Sequence, residues 1–402
     1  MGVGIDDIAL YAGRLSLDIE QLACARGRDP NYPRTKLMCE RRSVYPDWED
    51  AVTLSVNAAS QLFSRDSDRE QIGLLIVGTE SAVDFGKPVA TWVHRFCKLP
   101  AACRTLEVKH ACYGGTGALM LALLAVAATG KKALVVSADC SRNHVGDGAE
   151  FICGGCAVAV IVGAEPGVME VDPRTSGHWT REVADTFRPT ARVEVGNSQL
   201  SLCSYLDALE GAYGEYEQSP GSVAFPSGFE RHIYHAPFPA MAAKAHTCLA
   251  GLRGLDAKDA EASFRARVEP GLRLAKEIGS QYGASTFVSL LGLLSAADPP
   301  SPGDRVSIFA YGSGCQGEFY HGIVGSNALR RIASLKLEEQ LQTRVTIGVA
   351  EYEDLERARV DSIDARNYEF ASSHPLFRAA YGGRGLLVLR EIQDYRREYG
   401  WT

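Results

Sequence analysis

Residues Leu106 to Ala128, LEVKHACYGGTGALMLALLAVAA, constrain the fold more than any other stretch. Leu106-Glu107-Val108 reads as a strand, a tight junction carries Cys112, and an Ala/Leu/Met/Val run from Ala118 to Ala128 reads as a helix. A strand running straight into an apolar helix belongs to a layered α/β chain. The junction is also chemically distinctive. The first N–H groups of a helix lack intrahelical partners, and the dipole there favours a thiolate. Gly114, Gly115 and Gly117 permit unusual backbone angles and close approach of a ligand. Nucleophile elbows use the same strand-to-helix turn, which makes Cys112 a candidate nucleophile. It reads equally as a buried structural cysteine ahead of a core helix, so the rest of the chain has to decide.

At 402 residues the chain exceeds one simple core. Its hydrophobic content of 46% and charged content of 23% are those of an ordinary soluble protein. A net charge of −7, spread along the chain, argues against a nucleic-acid surface. The short basic cluster Arg396-Arg397-Glu398-Tyr399 reads as a solvated helix face. Eleven scattered cysteines make an odd number, and Met1 to Asp6 lacks the basic and apolar regions of an export signal. Both favour a reduced, cytoplasmic setting. The longest apolar run, after Cys112, falls short of the ~20 residues that cross a bilayer, so no membrane partner is expected. Cys153-Gly154-Gly155-Cys156 has half the spacing of a metal knuckle with no second pair, and no metal is expected there.

In chain order, Val3 to Tyr11 reads as a first strand, and helix-like spacing runs from Leu17 to Arg26. Gly27 to Pro46 reads as loop. Asp47 to Phe63 has helical spacing. Leu74 to Val77 is a strand buried on both faces, as are Lys132 to Ala138 and Cys156 to Gly163. Glu80 follows the end of its strand, a common place for a catalytic carboxylate, but it also fits a solvated loop or a cap for the helix near Pro88. Val171 to Glu230 is polar and aromatic, with helix-like spacing in Leu202 to Tyr213, and reads as an inserted entrance or lid. Arg231 to Ala250 returns to strand, turn and helix, with His235 at the junction as a candidate acid or base. His232 and His246 are rivals, and a hydrogen-bonded structural histidine is the plainer reading. Leu272 to Ala297 reads as mostly helical. Val306 to Ala310 is a strand leading into Tyr311-Gly312-Ser313-Gly314, a small-residue turn able to present backbone N–H groups. Phe319 to Val324 and Gly385 to Leu389 are further strands. Both parts of the chain thus carry strand–turn–helix units of similar design.

Several stretches together resemble 3-hydroxy-3-methylglutaryl-CoA (HMG-CoA) synthases. These are Val77-Gly78-Thr79-Glu80 with Asp84 and Lys87, Ala111-Cys112-Tyr113-Gly114-Gly115-Thr116, His235-Ala236-Pro237-Phe238 with Lys244, and Phe309 to Gly314. Gly385 to Tyr399, read as a strand leading into a charged helix, is similar to the end of that family's chain. The resemblance spans essentially the whole sequence in order. It implies the thiolase fold, a layered αβαβα sandwich of two related halves, here 1–170 and 171–402, with residues 171–230 forming the entrance. It also implies a homodimer. The Lys109-His110-Ala111-Cys112-Tyr113 stretch looks like the polyketide β-branching members, whose partners are acyl carrier proteins. The alternatives are a mevalonate-pathway HMG-CoA synthase, a ketoacyl synthase III-like enzyme, or a non-catalytic subunit that binds carrier protein. The family's Ile-Gly-Asn-x-Tyr stretch reads Ile278-Gly279-Ser280-Gln281-Tyr282 here, with the shorter Ser280 in place of asparagine.

The resemblance further implies a division of labour. Cys112 holds an acetyl group as a thioester, Glu80 removes a proton from its methyl, and His235 supports the alkoxide that forms at the acceptor ketone. N–H groups near Cys112 and Ser313 serve the oxyanion, while Ser280, Tyr282 and Lys244 contact substrate. No cofactor is required beyond substrates carried on phosphopantetheine or CoA.

Overall fold

The structure is a computed structural model that describes residues 2–63, 69–141 and 145–402. Met1, where the N-terminal reading begins, lies outside them. A ten-stranded sheet organises the chain. Its strands are β1 (Gly4–Tyr11), β2 (Ile72–Gly78), β3 (Arg104–Val108), β4 (Lys132–Cys140) and β5 (Gly155–Gly163), followed by β6 (Met169–Glu170), β7 (Ser176–Thr180), β8 (Arg231–Tyr234), β9 (Arg305–Gly312) and β10 (Gln316–Val324). They lie in the order β8-β9-β10-β6-β1-β5-β4-β2-β3, with β7 also paired to β10. The short β6 is the stitch, since it hydrogen-bonds both β1 and β10.

The principal helices are α1 (Ala51–Ala59), α2 (Val89–Phe96), α3 (Gly114–Thr129), α4 (Ser198–Tyr216), α5 (Pro239–Leu252), α6 (Ala257–Arg267) and α7 (Ser285–Leu294). The buried side chains sort them into layers. Ala9, Leu75, Val77, Leu134 and Val136 face α1 and α2. The opposite faces, with Ile8, Ile76 and Val135, meet α3 and α7, which also touch Ile233, Val306 and Ile308 of β8 and β9. Tyr234, Phe309 and Phe319 point the other way, into α4, α5 and α6. The stack is therefore helix, sheet, helix, sheet, helix, which is the αβαβα sandwich of the thiolase fold. Its centre explains why α3 is so apolar. A helix between two sheets has almost no polar face to offer, and each buried Leu119 or Leu123 contributes about 1.5–3 kcal/mol relative to exposure.

Three expectations change, and a fourth segment is partly structural. Residues 27–46 are not all loop: Pro33–Leu37 makes a helical turn, and Arg41–Val44 is a strand antiparallel to Leu15–Asp18. Residues 171–230 are mostly exposed or half-buried, but part of the segment joins the core. β7 pairs with β10, and α4 buries Tyr205, Tyr213 and Tyr216 against it. The Leu272–Ala297 helix is broken, ending at Ile278 and resuming at Ser285, because Gly279 at φ +83° and Tyr282 at φ +51° turn the chain out of helical geometry. The C-terminal run is a hairpin, Leu387–Gln393 with Arg396–Trp401, rather than strand and helix. Asp394 and Tyr395 make its turn, both at positive φ. Arg397 and Tyr399, read as a solvated helix face, both bond to Asp50.

None of the eleven cysteines forms a disulfide. Among the described residues, no helix is long and apolar enough to cross a membrane, and no three His, Cys, Asp or Glu side chains gather as a metal site needs.

Candidate active site

Strand pairing assembles the site. β2 and β3 run parallel with Gly78 opposite Val108, so Glu80 and Cys112 leave neighbouring strands at the same edge. β8 and β9 are likewise parallel, with Tyr234 opposite Phe309, and deliver His235 and the Ser313 turn together. Two glycines let the backbones approach. A Cβ at Gly115 would sit 2.5 Å from the Gly283 carbonyl oxygen and 2.5 Å from Ser137 Oγ. One at Gly312 would sit 2.6 Å from both Cβ and N of Tyr113. The Cys112 turn is therefore wedged between β9 and the 280–284 segment.

The Cys112 thiol donates to Glu80 Oε1 at 3.5 Å. Its pKa lies well above that of an ordinary thiol, because burial and then the Glu80 carboxylate oppose a second negative charge. The dipole argument for a resting thiolate gives way here: the helix begins at Gly114, past Cys112, and the neighbouring anion dominates. Burial raises Glu80 to about 7; Arg188 pulls it down, while Asp139 and Glu194 add to the rise. Asp139, the penultimate residue of β4, holds the Glu80 loop, its Oδ1 accepting the Glu80 N–H at 2.9 Å and the Thr79 hydroxyl at 3.0 Å.

His235 is buried, and burial lowers its pKa to about 3, so it is neutral at physiological pH. Ser285 Oγ lies 2.6 Å from Nδ1 and also accepts the Ala236 N–H at 3.4 Å. A Ser285 hydroxyl proton directed at Nδ1 would place the imidazole proton on Nε2. Nε2 is buried and has no partner among the described residues. In that tautomer Nε2 would present an N–H donor. The backbone carbonyl of His235 accepts from the Tyr205 hydroxyl at 2.7 Å. Tyr311 lies beside His235, its ring centroid 6.4 Å away, and burial and then the Asp185 carboxylate raise its pKa.

Asp185 fixes the Ser313 turn, accepting the Gly314 N–H at 3.0 Å and the Tyr311 hydroxyl at 2.9 Å. Among the described residues, the amide N–H groups of Cys112 and Ser313 donate to nothing. Tyr282 is buried, with the Arg188 guanidinium 5.0 Å above its ring. Ser280 is buried too, but its N–H donates to the Ile152 carbonyl at 2.8 Å, and its hydroxyl bonds to neither Cys112 nor His235. Lys244 is exposed on α5 and makes no contact with Glu80, Cys112 or His235. His232 and His246, the rivals of His235, pack together in an aromatic core, their ring centroids 5.2 Å apart and their planes tilted by 44°.

Sequence reasoning missed Asp139, Asp185, Arg188 and Ser285. Asp139 carried the signal used for Glu80, a carboxylate at the end of a buried strand. Asp185 and Arg188 sit in a polar stretch read as entrance, and Ser285 has no sequence signal. Tyr113 was quoted only as part of the motif. Its hydroxyl donates at 2.6 Å to Glu318, a carboxylate buried on β10 whose other oxygen is 3.6 Å from His178 Nδ1.

A thiol against a carboxylate, with a neutral imidazole donor and unengaged amides on one α/β sandwich, defines an acyl-transferring, carbon–carbon bond-forming condensing enzyme of the thiolase fold. Residues 2–167 match the hydroxymethylglutaryl-coenzyme A synthase N-terminal family and residues 253–402 its C-terminal counterpart. The chain belongs to the HMG-CoA synthase family. It is 33% identical over 419 residues to the polyketide biosynthesis 3-hydroxy-3-methylglutaryl-ACP synthase PksG of Bacillus subtilis, across 100% of this chain and 99% of that protein. The hydroxymethylglutaryl-CoA synthase of Enterococcus faecalis is 31% identical over 368 residues, 90% of this chain and 93% of that one. The solved HMG synthase of the curacin biosynthetic pathway aligns with a TM-score of 0.95 at 34% identity over 100% of both chains, and that enzyme has also been solved in complex with acetyl donor-ACP.

Proposed function

We propose that the protein condenses an acetyl-derived enolate with a β-ketoacyl thioester on acyl carrier proteins, giving a 3-hydroxy-3-methylglutaryl-type product in polyketide β-branching. The observation that carries the chemistry is the Cys112 thiol at 3.5 Å from Glu80. Full-length similarity to PksG and to the curacin enzyme supports the carrier-protein substrate.

The steps follow from the states of the groups. Cys112 Sγ attacks the donor thioester; its proton passes to Glu80, a sulfur–acyl bond forms, and the carrier thiolate leaves and takes up that proton. The Cys112 and Ser313 amides face the oxyanion. Glu80, again a carboxylate, removes a methyl proton from the acetyl-enzyme. The enolate carbon adds to the acceptor ketone, and the new alkoxide receives a hydrogen bond from His235 Nε2–H and the proton from Glu80. Neutral His235 stabilises charge without itself ionising. Water then cleaves the Cys112 thioester, leaving a free carboxylate on the product. Phosphopantetheine arms or CoA carry the substrates, and Lys244, exposed on the helix that follows His235, meets the incoming carrier.

The protein works as a homodimer in this reading. β3 is an edge strand with a free hydrogen-bonding side, and Leu121 and Leu124 of the neighbouring α3 are 48% and 54% exposed. Two copies pairing at this edge would cover both.

Intact-mass measurement after mixing with acetyl-carrier protein or acetyl-CoA tests the function. An acetyl adduct is expected from the carrier protein, lost in Cys112→Ala and, in Glu80→Ala, formed more slowly and carried no further to product. An adduct that survives Cys112→Ala overturns the reading; faster loading from acetyl-CoA returns the protein to the mevalonate-type reaction.

A further inference from the structure

The stretch from Asp185 to Asn197 delivers two charged side chains to the catalytic base. Arg188 Nε is 2.5 Å from Glu194 Oε2 and 3.7 Å from Glu80 Oε2. Nη1 donates to the Glu80 carbonyl at 3.2 Å and to Ser81 Oγ at 3.2 Å. The Arg188, Glu80 and Glu194 side chains are 9%, 12% and 14% exposed. Nη2 is buried with no partner among the described residues.

A guanidinium Nε carries one hydrogen, and the distances assign it to Glu194. Glu80 therefore feels the Arg188 charge without surrendering a lone pair to it. This matters for a base. A carboxylate buried beside Cys112 and Asp139 with no cation would stay protonated, whereas one bidentate to arginine would be too weakly basic and already occupied. Arg188 supplies the attraction and Glu194 limits it. The remaining groups facing this cluster are Asp139 from the end of β4, Cys112 from the α3 turn, and Tyr282 beneath the guanidinium.

We infer that Arg188 and Glu194 form a positioning pair that holds the Glu80 loop in place and keeps Glu80 a working base. The inference rests on the reading of Glu80 as the base. It assigns opposite roles to the two partners, which a purely architectural contact would not. Burial and the surrounding charges agree: Arg188 lowers the Glu80 pKa, and Glu194 raises it.

The test is the pH dependence of product formation from pre-acetylated enzyme, from pH 5 to 9.5, in full-length variants checked for wild-type circular dichroism. Arg188→Met should move the acidic limb upward by about one to three pH units, the range expected for losing an opposite charge within 4–6 Å. Glu194→Gln, nearly isosteric, should move it downward by about one unit. Arg188→Lys should restore the wild-type limb to within about half a unit. The Arg188→Met/Glu194→Gln double variant should fall between the two single ones. Limbs that stay put, or shift in the same direction in both single variants, overturn the pair's role while Glu80→Gln remains inactive. A Glu80→Gln enzyme that turns over with the wild-type limb overturns the base reading itself, and the pair's role with it.

Discussion

Replacing Ser285 by alanine removes the hydroxyl paired with His235 Nδ1, and its cost follows from the geometry. The Ser285 Oγ to His235 Nδ1 contact is 2.6 Å, and the imidazole is buried, so no water can take over the lost bond. A buried acceptor left unpaired costs about 1–3 kcal/mol. The ring escapes part of that by moving its proton to Nδ1 or by turning, and either change withdraws the Nε2–H from the acceptor alkoxide. Complete loss of one oxyanion donor costs about 2.7–4 kcal/mol, or 100- to 1,000-fold. A partial loss of about 1–2 kcal/mol translates to roughly 5- to 30-fold in rate. Condensation should slow by that factor. Acetyl loading of Cys112 should change much less, because the thiol is partnered by Glu80 rather than by His235. Quenched-flow sampling with intact-mass detection separates the two steps in one experiment. Wild-type condensation in Ser285→Ala, or loading and condensation falling in parallel, would refute the tautomer argument.

Three further outcomes are expected. Glu49 is buried beneath the hydroxyls of Tyr11 and Tyr381, and burial raises its pKa from 4.5 to about 7. The unfolded chain loses this proton first, so the group's contribution is most favourable below pH 4.5 and declines as pH rises to about 7. Glu49→Gln should flatten that decline in denaturant melts at pH 5.5 and 8. Gly115→Ala puts a methyl 2.5 Å from both the Gly283 oxygen and Ser137 Oγ, and should destabilise by about 1–3 kcal/mol, read as a lower Tm, with slower Cys112 acylation. Lys244→Glu should raise the KM for donor carrier protein while leaving kcat near wild type, since its side chain is exposed away from the reacting groups.

How much was legible in the sequence depended on the chemistry of each segment. The buried strands announced themselves as apolar runs, and α3 as a helix without a polar face. Helix α4 showed in the spacing of Leu202 to Tyr213, but its burial did not, because its core is tyrosine. Tyr205, Tyr213 and Tyr216 read as polar, yet Tyr205 donates to His235, Tyr213 and Tyr216 accept N–H groups of Phe225 and Val223, and the rings pack as core. The C-terminal hairpin was hidden because its turn, Asp394-Tyr395, adopts positive φ without a glycine. Of the site, Glu80, Cys112 and His235 stood at strand ends, which made them candidates, and only the resemblance to HMG-CoA synthases gave them roles. Arg188 and Asp185 were not candidates, since a charged residue in a polar stretch gives no sign that it turns inward. The protonation states were out of reach as well: a helix start suggests a thiolate, and only burial beside Glu80 reverses it.

The Tyr113 hydroxyl bond to Glu318 ties the residue after the nucleophile to a strand some two hundred positions later in the chain. Until that strand docks, the Cys112 turn lacks this anchor, although β2 and β4 already place Glu80 and Asp139 beside it. The accessibility of Cys112 to an alkylating agent therefore reports on folding. During refolding it should reach its native value only once β10 has joined the rest of the sheet.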